Sequence, residues 1–164
     1  MGTIVFNEMT EGDLPFVKEV YEYYIANSTA TFHIGDITIG EIKEFIHISH
    51  PRYKSFTILY DKVPAGYCYF NYYKKRQAYD RTAEVTLYLK PEFCGKGIGR
   101  VTMQFLQDEA KKAGLKNLLG VISGDNQESI VLFEKMGYSK CAHFKNVGEK
   151  FDRLLDVVVY QKEI

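Results

Sequence analysis

The sequence predicts an α/β fold: a mixed, mostly antiparallel central sheet flanked by helices. Three observations predict it. Strand-like runs alternate with helical stripes from residue 3 to residue 161. The runs Ser55–Tyr60 and Ala65–Tyr73, about a turn at Asp61–Pro64, read as an antiparallel hairpin. A strand, a glycine-rich turn, a helix and a second strand follow one another between Glu84 and Ile122, and that order requires one parallel stretch.

The elements follow in order. Residues 3–9 alternate as a strand. Thr10 with Asp13 resembles a capping box, and Pro15 suits a first helical turn. Leu14, Val17, Val20, Tyr21, Tyr24 and Ile25 form the stripe of that helix. Asn27–Gly40 is loop-like, and a short helix carrying Ile42, Phe45 and Ile46 stops before Pro51. After the hairpin, Thr82–Leu89 is the next strand. Two β–α units end at Gly137, the second helix being Asn126–Met136. Tyr138–Phe144 and Leu155–Gln161 close the chain as strands. With no repeat and no linker, 1–164 reads as a single domain.

Composition excludes several classes. Hydrophobic residues make up 46 %, which is enough for a core. Lys plus Arg and Asp plus Glu are 21 each, which argues against a broad nucleic-acid surface or a membrane-steering patch. Lys74-Lys75-Arg76 is the one basic cluster, a local anion site or a solvated strand end. Three cysteines without close spacing, no leader and no long apolar run read as a reduced, cytoplasmic protein with no membrane attachment. His47 and His50 have no Cys or acid at ligand spacing, so no metal is expected.

The chemistry centres on Cys94-Gly95-Lys96-Gly97-Ile98-Gly99-Arg100. Three glycines in five residues, ahead of a helix, let backbone N–H groups converge on a phosphate. The competing reading is a plain tight turn. A dinucleotide fingerprint fails, because its third glycine would fall on Arg100 or Thr102. A P-loop fails too, because Gly95-Lys96 is followed by Gly97.

Four segments resemble the GCN5-related N-acetyltransferase (GNAT) superfamily, in its phosphinothricin acetyltransferase-like branch. They are Tyr24-Ile25 with Ser28-Thr29 and Phe32; Arg76-x-Ala78-Tyr79-Asp80-x-Thr82-Ala83-Glu84; Gly97-Ile98-Gly99 with Asn126-x-x-Ser129 and Glu134-x-x-Gly137-Tyr138; and Gly148-x-Lys150 with Asp156-Val157 and Gln161. The resemblance implies the GNAT acyl-CoA N-acyltransferase fold, acetyl-CoA as donor and a primary amine as acceptor. It places the pyrophosphate on Gly95, Lys96, Gly97, Ile98, Gly99 and Arg100, and the pantetheine arm along Leu87, Tyr88 and Leu89 and at Asn126 and Ser129. A backbone N–H of that strand would stabilise the thioester oxygen. Phe32, Arg76 and Tyr79 are the implied acceptor contacts, on a small amino-acid-like amine of the phosphinothricin or methionine sulfoximine type. The branch also implies a homodimer.

Glu84 stands where the family has its base. An alkyl ammonium, with a pKa of about 10, must lose a proton before it attacks, and a carboxylate at about 4.3 is a poor base unless burial raises it. The competing reading pairs Glu84 with Arg76, Arg81 or Lys90 as a strand-end ion pair. Two positions depart from the family pattern. Cys94 replaces the usual Gln or Arg, which removes a side-chain phosphate contact. Phe133 replaces a Tyr or His and cannot protonate the departing thiolate. Cys94 as a nucleophile has no accompanying His. The alternatives to a small-molecule enzyme are a protein or peptide N-acetyltransferase and an acetyl-CoA-binding module whose catalysis has decayed.

Overall fold

A computed structural model describes residues 1–164. It contains one seven-stranded sheet in the order β1-β2-β3-β4-β5-β7-β6. The strands are β1 (Ile4–Glu8), β2 (Ser55–Tyr60), β3 (Val63–Tyr72), β4 (Thr82–Leu89), β5 (Asn117–Ser123), β6 (Ser139–Lys150) and β7 (Arg153–Glu163). All neighbours pair antiparallel except β4 and β5. The helices are α1 (Leu14–Asn27), α2 (Ile39–Ile42), α3 (Ile98–Lys112) and α4 (Gln127–Lys135). None is long and apolar enough to cross a membrane.

The two faces of the sheet are covered by different helices. Strand alternation sorts their side chains. On β3, Tyr67 and Tyr69 join Leu14, Val17 and Val20 of α1 and Ile42 of α2 in one apolar cluster. Cys68 and Phe70 point the other way and join Ile98, Met103 and Leu106 of α3 and Phe133 of α4. The sheet therefore lies between an α1 side and an α3/α4 side.

The expected capping box at Thr10 forms, but it caps a 3₁₀ turn, Glu11–Asp13, that leads into α1. The Thr10 backbone N–H donates to Asp13 at 2.8 Å, and Pro15 sits in the first turn. The second helix is shorter than its apolar stripe suggests. α2 ends at Ile42, and Phe45 and Ile46 are held beyond it in turns. The hairpin turn is also tighter than expected. Asp61 and Lys62 alone form it, both with positive φ, as a two-residue primed turn requires. Pro64 belongs to β3, beside a bulge at Ala65 where the register steps from Ile58↔Gly66 to Leu59↔Pro64.

The last two strands extend well past their expected ends. β6 runs on to Lys150, and Asn146 and Gly148 do not break it. Asn146 lies in a bulge between Phe144↔Val157 and Gly148↔Leu155, and Gly148 resumes the pairing. Asp156 holds that bulge by accepting the Asn146 N–H at 2.8 Å and bonding His143 Nε2 at 2.8 Å. Phe151 and Asp152, both at positive φ, make the turn into β7. The hairpin tip is tied back to the loop after α1. Lys150 is buried, and its Nζ donates to the carbonyls of Ser28 and Thr31 at 2.7 and 2.8 Å.

Candidate active site

β4 and β5 part company just after Glu84. Their parallel pairing covers only Thr82–Glu84 against Asn117–Leu119. Beyond it, β3 holds β4 as far as Leu89, while β7 holds β5 as far as Ser123. Each strand keeps its outer partner and bares its inner edge. The Lys90 N–H donates to Ala65 on the β3 side. Antiparallel alternation then turns the peptide groups of Glu84, Thr86 and Tyr88 toward β3, and those of Leu87 and Leu89 into the gap. The Leu89 carbonyl meets the hydroxyl of Tyr24, which reaches across from α1.

A cavity of about 530 Å³ opens through this gap and is lined from both sides of the sheet. Glu84 sits directly opposite Asn71 on β3, and Thr86 opposite Tyr69. Cross-strand partners share a face, so Glu84 points to the α1 side with Tyr69. Tyr21, Phe45, Tyr69 and Asn71 line that half. Gly99, Asn126, Ser129, Leu132 and Phe133 line the half toward α3 and α4. Glu84 is thus placed where the two halves communicate.

Glu84 takes part in no ion pair. Arg52 pairs with Asp80, and Lys90 pairs with Glu19 and Glu92. Arg76 and Arg81 are exposed. Burial pushes the Glu84 carboxyl above the ordinary carboxylate range, and the charge of Lys74 offsets part of that rise. A half-buried carboxyl without an ion-pair partner, its pKa raised by burial and set in a cleft, has the character of a candidate proton acceptor.

The glycine loop has the features an anion needs. Gly95 and Gly97 have φ of 73° and 79°, values that strain any side chain. Gly97 is the N-cap of α3 and brings no side chain to its first N–H groups. Those groups have no intrahelical acceptors, and no acidic residue stands in the first turn to compete. Lys96 and Arg100 flank the loop, both exposed. A pyrophosphate fits this donor set without help from Cys94. The Cys94 thiol instead lies against the Lys90 carbonyl at 3.7 Å, and burial raises its pKa.

The expected site residues are placed as follows. Glu84, Leu87, Tyr88, Leu89, Gly95, Gly99, Asn126 and Ser129 all line the cavity. Asn126 also caps α4, its Oδ1 accepting the Ser129 N–H at 3.2 Å. The Ile98 side chain is buried in the core, so only its peptide group can face a ligand. Phe32, Arg76 and Tyr79 do not line the cavity. Phe32 packs on the backbone of Gly148, where a Cβ would come within 2.5 Å of its ring. Arg76 is exposed in the β3–β4 loop, and Tyr79 packs edge-on against Tyr73. Sequence reasoning missed Tyr21, Phe45, Tyr69 and Asn71 as lining residues. The available signal was their phase: Tyr67, Tyr69 and Asn71 alternate on one face, and a polar Asn there interrupts an apolar row. No three His, Cys, Asp or Glu side chains gather where they could hold a metal.

Known proteins share this architecture. The solved phosphinothricin acetyltransferase of Sinorhizobium meliloti, in complex with acetyl-CoA, superposes with a TM-score of 0.91 and 26 % identity, covering 99 % of this chain and 89 % of that one. The phosphinothricin N-acetyltransferase of Streptomyces coelicolor is 27 % identical over 94 % of this chain and 92 % of its own length. The L-methionine sulfoximine/L-methionine sulfone acetyltransferase of Salmonella typhimurium is 26 % identical over 94 % and 91 %. The profile of the Acetyltransferase (GNAT) family matches residues 17–138, which include the whole of the cavity's β4, glycine-loop and α4 walls. With the split sheet and the glycine cradle in place, the chain belongs to the GNAT acetyltransferase family.

Proposed function

We propose that this chain transfers the acetyl group of acetyl-CoA to the primary amine of a small, amino-acid-like acceptor, directly and without a covalent enzyme intermediate. The observation that carries the proposal is the through-sheet cavity. An anion cradle and bare strand edges lie on one side of Glu84, and an aromatic pocket lies on the other. The donor supplies an activated acetyl group. The peptide groups of Leu87 and Leu89 and the start of α3 hold and orient it. Glu84 takes the ammonium proton, directly or through a water. The freed amine attacks the acetyl carbon, a C–N bond forms, the C–S bond breaks, and the nitrogen's second proton passes to the departed thiolate or to water. The thiolate departs without protonation by Phe133, as a thiol with a pKa of about 8.5 permits.

The acceptor class rests on the relatives, which act on phosphinothricin or on methionine sulfoximine and sulfone. The aromatic lining of Tyr21, Phe45 and Tyr69 suits a small acceptor body. Residues 1–164 act as one catalytic unit in this proposal, in the cytoplasm and as a homodimer. The exposed apolar side chains Phe144, Val147, Phe151 and Leu154 on the outer β6–β7 hairpin favour the last point.

Glu84→Gln tests the reading. Turnover at neutral pH should fall about 10²- to 10⁴-fold. Acetyl-CoA should still raise the melting temperature as in the wild type, because its cradle is untouched. Raising the pH should recover part of the rate, since more acceptor is then already neutral. Near wild-type turnover at neutral pH would remove Glu84 as the base.

A further inference from the structure

Asn71 is a polar side chain set in an otherwise aromatic wall, and its orientation is fixed by its neighbours. β2 pairs with β3 only as far as Ser55↔Tyr69, with one further bond from Phe70 N–H to the Lys54 carbonyl. The Tyr72 N–H therefore lies past the end of β2. The side chain of Asn71 meets it, with Oδ1 accepting at 2.7 Å. A backbone N–H can only donate, so this bond identifies the oxygen end of the amide. The same oxygen lies 2.6 Å from Nε2 of His47, which must then be the protonated ring nitrogen. His47 itself is packed among Tyr53, Tyr72 and His50. With both interactions on Oδ1, Nδ2 makes no hydrogen bond to the protein, and Asn71 lines the cavity.

This amide stands directly across the β3–β4 ladder from Glu84. The Cβ atoms of such partners are about 4.5–5.5 Å apart. An α-amino acid presents its amine and its carboxylate two bonds apart, on a matching scale. We infer that Asn71, positioned by His47, is an acceptor-binding residue whose Nδ2–H donates to the α-carboxylate of an amino-acid acceptor while the amine faces Glu84. The inference rests on the acetyltransferase reading above and adds the feature of the acceptor that this site selects. The pairing is chemically consistent. A neutral donor recognises the carboxylate without competing with the ammonium for Glu84, and a donor to an anion gives a charge-assisted bond.

The test compares acceptors within each enzyme. The probes are the best acceptor from a panel of L-amino acids plus L-methionine sulfone, and the α-carboxamide of that same compound. The readout is the ratio of their kcat/KM values. Wild type should favour the free acid. Asn71→Asp keeps the bonds to Tyr72 and His47 but replaces the donor with a carboxylate. It should shift the ratio toward the carboxamide by about thirtyfold or more, and Asn71→Ala by about tenfold. His47→Leu should move the ratio the same way through KM with little change in kcat, and His47→Gln, which keeps an N–H donor, should restore it. A purely structural role for His47 would lower the melting temperature and kcat without changing selectivity. An unchanged ratio in Asn71→Asp overturns the inference, as does a wild type that acetylates no α-amino acid. If amines lacking a carboxylate were then acetylated and acetyl-CoA still stabilised the fold, the N-acetyltransferase reading would survive that failure.

Discussion

Phe133 lies flat against β5 at Gly120, and that contact can be broken by a single methyl group. A Cβ at Gly120 would stand 2.2 Å from Cε1, 2.6 Å from Cζ and 2.7 Å from Cδ1 of the ring. Ordinary carbon contacts are about 3.5–4.0 Å, so the ring must withdraw by about 1.5 Å. Tyr138 blocks one way out, packed edge-on with centroids 4.8 Å apart. The open direction is the cavity, whose wall Phe133 forms. Gly120→Ala should therefore cost about 1–3 kcal/mol by overpacking. At about 2–4 °C per kcal/mol for a chain of this size, the melting temperature should fall by ~2–12 °C. The displaced ring should also reduce the stabilisation that acetyl-CoA gives. Scanning calorimetry with and without acetyl-CoA measures both effects. The double variant Gly120→Ala/Phe133→Leu should recover part of each loss, with a coupling of about 0.5–3 kcal/mol. A wild-type melting temperature in Gly120→Ala would refute the reasoning, and so would a loss that adds independently to that of Phe133→Leu.

Two further predictions concern the loop after α1, whose Ser28 and Ala30 line the cavity. Burial lowers the Lys150 pKa below its unfolded value, so over that window the unfolded chain binds more protons and stability gains from this group as pH rises. Lys150→Met should flatten that gain, measured as the difference between variant and wild-type melting temperatures from pH 8 to 10; an equal slope in both would count against it. Asp125 joins this loop to the start of α4, accepting from Thr29 and Ser123 hydroxyls at 2.7 Å and from Arg153 at 2.9 Å. Burial pushes its pKa up, but these donors outweigh burial and hold it below the usual value, so its contribution is present above the unfolded pKa and is lost as acid protonates it. Asp125→Ala should destabilise at neutral pH, and the deficit should close as pH falls below 4. A deficit that persisted unchanged in acid would assign the effect to packing instead.

The sequence made the local parts of the site legible and left the long-range ones hidden. The glycines at 95 and 97 announce their backbone because few other residues tolerate those φ values, and Glu84 stands out by its place in the strand ahead of them. The outer hairpin was only half legible. The expected strand stops at Phe144, and the bulge at Asn146 that lets it continue depends on Asp156 of the opposite strand. Phe151-Asp152 does not look like a primed turn either. For Asn71 the alternation marks the face but not the orientation of the amide. Its orientation depends on where β2 stops pairing, which no pattern near residue 71 records.

The gap itself follows from a contest between neighbours. β5 pairs with β7 along all seven of its residues, from Asn117↔Glu163 to Ser123↔Val157, and β3 pairs with β4 along seven positions, but only three pairs join β4 to β5. Strand twist and the outer ladders carry β4 and β5 apart, and no residue at the seam has to force them. The groups left without a strand partner, the Leu87 peptide and the Leu89 N–H, would be costly in a dry core, while the Leu89 carbonyl is met by Tyr24. They are tolerated because the gap opens to solvent. An opening through the sheet, with Glu84 where the two strands part, is therefore a property of pairing lengths, and substitutions that lengthen the β4–β5 ladder should close the site before they disturb the fold.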